Sequence, residues 1–233
     1  MNTPIFINMR YFFTYARAFF MAFSVFFLIS CAGTPSERIE IPYEKTELPH
    51  EKTVETVTAV PERPVPSLYI MGKGIVPGVS LAEFLLRFNT GADRDYVLAL
   101  SNYYIEEAAA EGINHDIAFA QMILETGFLR FGGDVKPEQN NFCGLGAVGG
   151  GAPGLSFPDP RTGVRAHIQH LKGYASAEPL NQELVNPRYR YLVMLNRIGS
   201  SPTIRGLTGT WAVDREYDIK IERILNQLYD FSF

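Results

Sequence analysis

Glu125 is the residue whose neighbours best suit proton transfer. It closes an otherwise apolar stretch, Gln121-Met122-Ile123-Leu124-Glu125-Thr126-Gly127. In a helix, the negative end of the dipole would oppose ionisation of its carboxyl. Phe128 and Phe131 follow closely and are expected to shield it from water. Both effects raise a carboxyl pKa toward neutrality, where a general acid works best. A solvated glutamate at a helix end would present the same residues, so the two readings stand side by side here.

Other groupings offer less. His167 and His170 lie three apart and could share a helix face, but no third ligand is near, so no metal site and no cofactor are expected. Gly149-Gly150-Gly151 lacks the Lys-Ser/Thr of a phosphate-cradling loop. No Gly-x-Ser-x-Gly elbow occurs. Cys143 has no activating base in its local sequence and reads as a small buried hydrophobe.

The elements that would position Glu125 are mostly helices. Ser80-Leu81-Ala82-Glu83 has the form of a capping box opening a short helix to Phe88. Residues 94–111 form a long helical pattern, with Val97, Leu100, Tyr104 and Ala108 on one stripe and Gly112 as its stop. Asn114 or His115 opens the helix that carries Glu125 and ends at Gly127. Residues 164–175 repeat the pattern through Val164, Ile168, Leu171 and Ala175. Asp214 is the expected N-cap of a last helix, whose buried stripe is Tyr217, Ile221, Ile224 and Leu228. Between them, residues 132–163 hold nine of the 20 glycines, a density that predicts short strands and loops forming a cleft wall. The expected fold is α+β: a mainly helical body with a small β/loop wall beside the cleft.

Four segments, in order, carry a resemblance to a known family. Ala120-Gln121-Met122-Ile123-Leu124-Glu125-Thr126-Gly127 resembles the catalytic-helix motif of the bacterial endo-β-N-acetylglucosaminidases that cleave peptidoglycan. Asn140-Asn141-Phe142-Cys143-Gly144-Leu145-Gly146 is similar to that family's Asn-Asn/Leu-Phe-Gly segment. The stretch from Gly163 to Leu171 resembles the helix after its β-wall, and Trp211-Ala212-Val213-Asp214-Arg215-Glu216-Tyr217 its C-terminal aromatic-Ala-Thr-Asp-Pro-x-Tyr motif. The resemblance covers residues 92–229 and implies a lysozyme-like fold. It also implies cleavage of the β-1,4 bond from N-acetylglucosamine to N-acetylmuramic acid.

On that resemblance Glu125 takes the general-acid position and Tyr217 that of the C-terminal tyrosine, near the sugar acetamide or the attacking group. Asp159 is the candidate second carboxylate, with Asp134 in reserve. Asn141, Phe142 and Phe128 are the candidate sugar contacts, and Trp211 is read as packing. The chain departs from the family where Glu-Thr-Gly-Phe-Leu-Arg-Phe replaces Glu-Thr/Ser-Gly-Trp-Gly, and where Phe157 stands in place of a tyrosine. Two other functions fit the same residues: a lytic transglycosylase using the same acid, or a wall-binding protein without turnover.

Composition sets the frame. The 233 residues have a formal net charge of -4, so no nucleic-acid partner is expected. The first thirty residues hold 10 of the chain's 30 aromatics and no acid. Two arginines precede the uncharged run Ala18–Ser30, which is short for a membrane span and fits a secretory signal. Leu28-Ile29-Ser30-Cys31 resembles a lipobox, which implies that residues 1–30 are a signal peptide and that Cys31 is acylated. The expected address is the cell envelope, on an outer membrane and facing the periplasm. Residues 31–79 then read as a lipid-anchored disordered linker, rich in proline and charge, and residues 80–233 as the catalytic domain, monomeric and acting on glycan strands.

Overall fold

A computed structural model of the chain describes residues 62–233, apart from Val148 and Ala152. The signal segment, Cys31 and most of the expected linker lie outside the described residues. Among those described, the helices are α1 (Gly78–Phe88), α2 (Arg94–Glu111), α3 (His115–Thr126), α4 (Pro160–Ala175), α5 (Tyr189–Met194) and α6 (Tyr217–Ser232). Short 3-10 turns occur at Pro137–Gln139 and Ile204–Leu207. The protein is mainly helical, in keeping with the expected body.

The central element is α3. Every residue from His115 to Ile123 is buried, so this helix is covered on all sides. It packs against α2, α4 and α6, while α1 and α4 flank α2. Asn114 caps it by accepting from the Asp116 N–H at 3.0 Å, and Gly127 ends it in the left-handed region at φ 58°. The expected stripe of α2 is fully buried, and its helix runs between Asp93, which accepts from Tyr96 N, and Gly112 at φ 75°.

Carboxylates staple α2 to α4. Glu107 receives Arg165 through Nε at 2.8 Å and Nη2 at 3.2 Å. Glu111 and Lys172 form a buried pair at 2.8 Å. The same Glu111 accepts the backbone N–H groups of Asn181 and Gln182, which ties the loop after α4 to the seam. Buried charges are tolerated here because each is paired and hydrogen-bonded.

Three expectations need correction. First, the packed domain starts before residue 80. Ile70 and Val76 are buried in the main core. Ile70 N donates to Pro202 O, Asn114 N to Ile70 O, and the N–H groups of Ile75 and Val76 to the Asp116 carboxylate. Leu68 and Met71 pack against that core as well, and the Asp116 side chain of α3 ties the stretch down at Ile75 and Val76. Second, the capping box at Ser80 does not form, since α1 begins at Gly78 behind Pro77 with no side-chain cap. Asp214 likewise bonds Glu216 N and Lys220, a turn ahead of α6.

Third, the wall has no strands among the described residues. Side-chain amides replace the ladder there. Asn141 Nδ2 donates to Leu145 O at 2.8 Å and Leu155 O at 3.0 Å, while its Oδ1 accepts from Leu145 N at 2.9 Å. Gln139 Nε2 reaches Gly154 O, and Asn140 Nδ2 reaches Phe157 O. With glycines at 144, 146, 149, 150 and 151 all at positive φ, the segment turns too often to run as a strand.

Candidate active site

Glu125 sits in the last turn of α3, half-buried. The loop of residues 140–146 passes over it, and a Cβ on Gly144 would lie 3.7 Å from Glu125 Oε2. That close approach depends on Gly163, whose own hydrogen occupies space a Cβ would need: it would fall 1.8 Å from Asn140 O. Glycine at 163 therefore lets α4 slide under the loop and press it toward α3.

Behind Glu125 the chain makes a left-handed turn. Gly127, Phe128, Leu129 and Phe131 have φ of 58°, 60°, 60° and 49°. Each non-glycine residue there costs roughly 1–2 kcal/mol. Hydrogen bonds offset it: Phe128 N to Ile123 O, Arg130 N and Phe131 N to Thr126 O, and Leu129 N to Thr126 Oγ1 at 2.9 Å. Asn89 Nδ2 holds Phe128 O at 2.8 Å. Strain of this kind, held by surrounding contacts, is frequent at functional sites.

Tyr217, the first residue of α6, donates its phenol proton to Glu125 Oε1. Burial raises the Glu125 carboxyl to about 7, against smaller opposing effects from hydrogen bonding to Tyr217 and Trp211. The Tyr217 hydroxyl is pushed well above its ordinary range by burial and by the neighbouring Glu125. Cys143 faces the same carboxyl and is also pushed upward, first by burial, so it is a neutral thiol. It packs with Leu145, Phe157 and Ala166, as its expected apolar role requires.

The arrangement thus joins Glu125 to Tyr217 and separates it from the other expected site residues. Asp159 is exposed and caps α4, with Oδ1 accepting from Thr162 N and Oδ2 from Thr162 Oγ1, both at 2.8 Å. These bonds hold its pKa below the usual carboxylate range. Asp134 accepts from Gly151 N in the glycine-rich turn. Phe142 is fully buried and packs with Phe131 and beneath Gly163, so it offers no face to a sugar. Phe128 stacks on α1, 4.7 Å from the Phe88 ring centroid, rather than shielding Glu125. Asn141 is buried and clasps its own loop.

Sequence reasoning missed four contributors. Trp211, expected as packing, does pack against His167, His170 and Tyr174, but its indole also acts on Glu125, drawing the carboxyl pKa down. Gln121, His167 and Tyr104, all buried, line up behind Tyr217. A glutamine four residues before Glu125 on an apolar helix, and a histidine beside the Val164 stripe, were the available signals. His167 and His170 do not share a ligand. His170 Nδ1 pairs with Asn186 Nδ2, and burial holds both imidazoles down at about 3.

Among the described residues no group of three or more His, Cys, Asp or Glu is placed to hold a metal ion. No helix there is long and apolar enough to cross a membrane.

Comparison with known proteins gives the family of the chain. The model of the glucosaminidase family, described as mannosyl-glycoprotein endo-beta-N-acetylglucosaminidase, matches residues 101–230. An uncharacterized protein of Borreliella burgdorferi (strain ATCC 35210 / DSM 4680 / CIP 102532 / B31) is 43% identical over 164 residues, covering 70% of this chain and 78% of the relative. No solved structure matches the chain significantly. The matched span runs from the middle of α2 into the last turn of α6 and includes both Glu125 and Tyr217, and the chain belongs to the glucosaminidase family of glycoside hydrolases.

Proposed function

We propose that the protein hydrolyses peptidoglycan at the β-1,4 bond from N-acetylglucosamine to N-acetylmuramic acid, with Glu125 as general acid. The carrying observation is the half-buried Glu125 carboxyl, raised to about 7 and held at one oxygen by Tyr217. Such a group keeps a proton near neutral pH and has a fixed direction in which to give it.

Glycosidic cleavage needs that proton on the leaving oxygen while positive charge develops at the anomeric carbon. Asp159 spends both oxygens on Thr162, and that favours the substrate's own acetamide as the internal nucleophile. In this scheme the acetamide oxygen bonds to the anomeric carbon as the glycosidic bond breaks. Water then opens the resulting ring, and the Glu125 carboxylate takes the water's proton. Tyr217 keeps the carboxyl aligned through both steps.

The test is incubation with purified peptidoglycan, followed by mass spectrometry of the products. New reducing N-acetylglucosamine ends support the proposal. Anhydro-sugar ends would assign a lytic transglycosylase instead, and intact glycan with retained binding would assign a wall-binding protein.

We also propose that Cys31 is acylated and anchors the enzyme in the cell envelope, on an outer membrane facing the periplasm. This reading rests on Leu28-Ile29-Ser30-Cys31 and the uncharged run before it. Cys31→Ala should abolish acylation, and an acylated or identically matured variant would refute it.

A further inference from the structure

A continuous line of hydrogen bonds leaves Glu125 and runs into the core. Tyr217 Oη bonds Glu125 Oε1, and Gln121 Nε2 lies 2.8 Å from Tyr217 Oη. Gln121 Oε1 lies 2.9 Å from His167 Nε2, and His167 Nδ1 lies 2.9 Å from Tyr104 Oη. The four residues behind Glu125 come from α6, α3, α4 and α2 in turn. Gln121, His167 and Tyr104 are fully buried and Tyr217 nearly so. The side-chain hydrogen bonds of Gln121, His167 and Tyr104 reach Glu125 only through Tyr217, and a general acid needs only its own proton. Apolar side chains of similar shape would fill the same space without the cost of burying polar groups.

The donor and acceptor inventory leaves one polarity when Glu125 is ionised. A carboxylate only accepts, so Tyr217 must give it the phenol proton. The Tyr217 oxygen then accepts from the Gln121 amide, and the Gln121 carbonyl must accept from His167 Nε2–H. That leaves His167 Nδ1 bare, to accept from Tyr104. Every proton in the line points toward Glu125. When Glu125 takes up a proton, Oε1 is already accepting from Tyr217. The Tyr217 bond therefore disfavours protonation at Oε1 and favours Oε2, the oxygen beside the 140–146 loop.

We propose that Tyr104, His167, Gln121 and Tyr217 form a polarised relay that fixes which oxygen of Glu125 carries the catalytic proton. Tyr104, His167 and Gln121 are positioning residues, acting through Tyr217. The relay rests on the assignment of Glu125 as the acid.

The titratable surroundings fit this role. Glu125 is faced by Tyr217 from α6 and by the Cys143 thiol from the 140–146 loop, both pushed upward and therefore neutral, and by the uncharged indole of Trp211. His167 is faced by Tyr104 from α2 and by His170 on its own helix; Tyr104 is raised by burial and His170 lowered by it, so both are neutral. No neighbour named here brings a charge that would reverse the line.

Two measurements on the full chain test it. Nitrogen NMR of labelled histidine, with His167 assigned by its substitution to Asn, should show His167 neutral with its proton on Nε2 from pH 5 to 8. A proton on Nδ1, or protonation within that range, overturns the relay whether or not the chain cleaves glycan. In the kinetic arm, Gln121→Met should lower kcat about 2- to 10-fold, the worth of one hydrogen bond, with KM unchanged. Because the donated bond to Glu125 weakens, the basic limb of the pH profile should move upward. Tyr104→Phe keeps the ring and its packing and should shift the limb the same way by less. A lower melting temperature with kcat and limb unchanged in Tyr104→Phe would make the line structural and overturn the proposal. Failure of the wild type to cleave glycan would instead refute the assigned reaction and leave the histidine result intact.

Discussion

Tyr217 and Glu125, 92 positions apart in the chain, share a hydrogen bond that joins the first turn of α6 to the last turn of α3. The bond draws the carboxyl pKa down while burial drives it up, and burial prevails, leaving it at about 7. The pair thus sets the direction of the candidate acid, and burial sets its acidity.

Rates should follow that balance. Because kcat/KM reports the free enzyme, its basic limb should fall near pH 7, the value at which Glu125 loses its proton. Tyr217→Phe removes a donor to the carboxylate, so the limb should move to higher pH. The loss of one bond to a charged group should also slow the plateau by roughly 10- to 100-fold. A pH-rate series on both proteins checks it.

Stability should respond to the histidines in the opposite sense from Glu125. His167 and His170 are held at about 3 when folded but titrate near 6.5 when unfolded. The unfolded state therefore binds more protons between those values, and stability falls as pH drops from 6.5 toward 3. Glu125 runs from 4.5 unfolded to about 7 folded, so it binds its proton better when folded. Its contribution to stability falls as pH rises across that window. Denaturant melts of Glu125→Gln against wild type should show the variant gaining relative stability from pH 4.5 to 7.

Gly163→Ala should disturb both fold and rate. The added Cβ would meet Asn140 O at 1.8 Å, and backbone on both sides leaves no flexible group to yield. Overpacking of this kind costs about 1–3 kcal/mol. A lowered melting temperature together with reduced turnover is expected, because the 140–146 loop must move away from Glu125.

How much of this was legible beforehand depended on the kind of signal. Asn114, Gly112 and Gly127 mark helix ends by chemistry local to each residue, so α2 was readable to the residue and α3 to within one at its start. The strands expected in residues 132–163 were not, because glycine density reports turning and not pairing, and the pairing there runs through Asn141 and Gln139 amides. Burial was the least legible. Nothing in Asn-Asn-Phe says that Phe142 points into the core, or that Phe128, after a left-handed turn, stacks on α1. Glu125 and Tyr217 were identifiable from their motifs. Their relay partners were not, since each is an unremarkable polar residue until α2, α3, α4 and α6 are packed together.

Asp159→Asn separates two ways of activating water. Asparagine caps helices as well as aspartate, so the fold should be unaffected. With both carboxylate oxygens committed to Thr162, turnover should stay within about 2-fold of wild type, less than one hydrogen bond's worth. A steep fall with an unchanged melting temperature would make Asp159 the second carboxylate and remove the acetamide route.

Glu125→Gln tests the central claim most directly. The amide keeps the size of the side chain and can still accept from Tyr217, but it has no acidic proton to give. General acid catalysis contributes about 10²–10⁴-fold. The release of reducing ends from purified peptidoglycan should fall by at least that order, with the melting temperature at neutral pH held or raised. A folded Glu125→Gln protein that releases those ends at near wild-type rate would contradict the account.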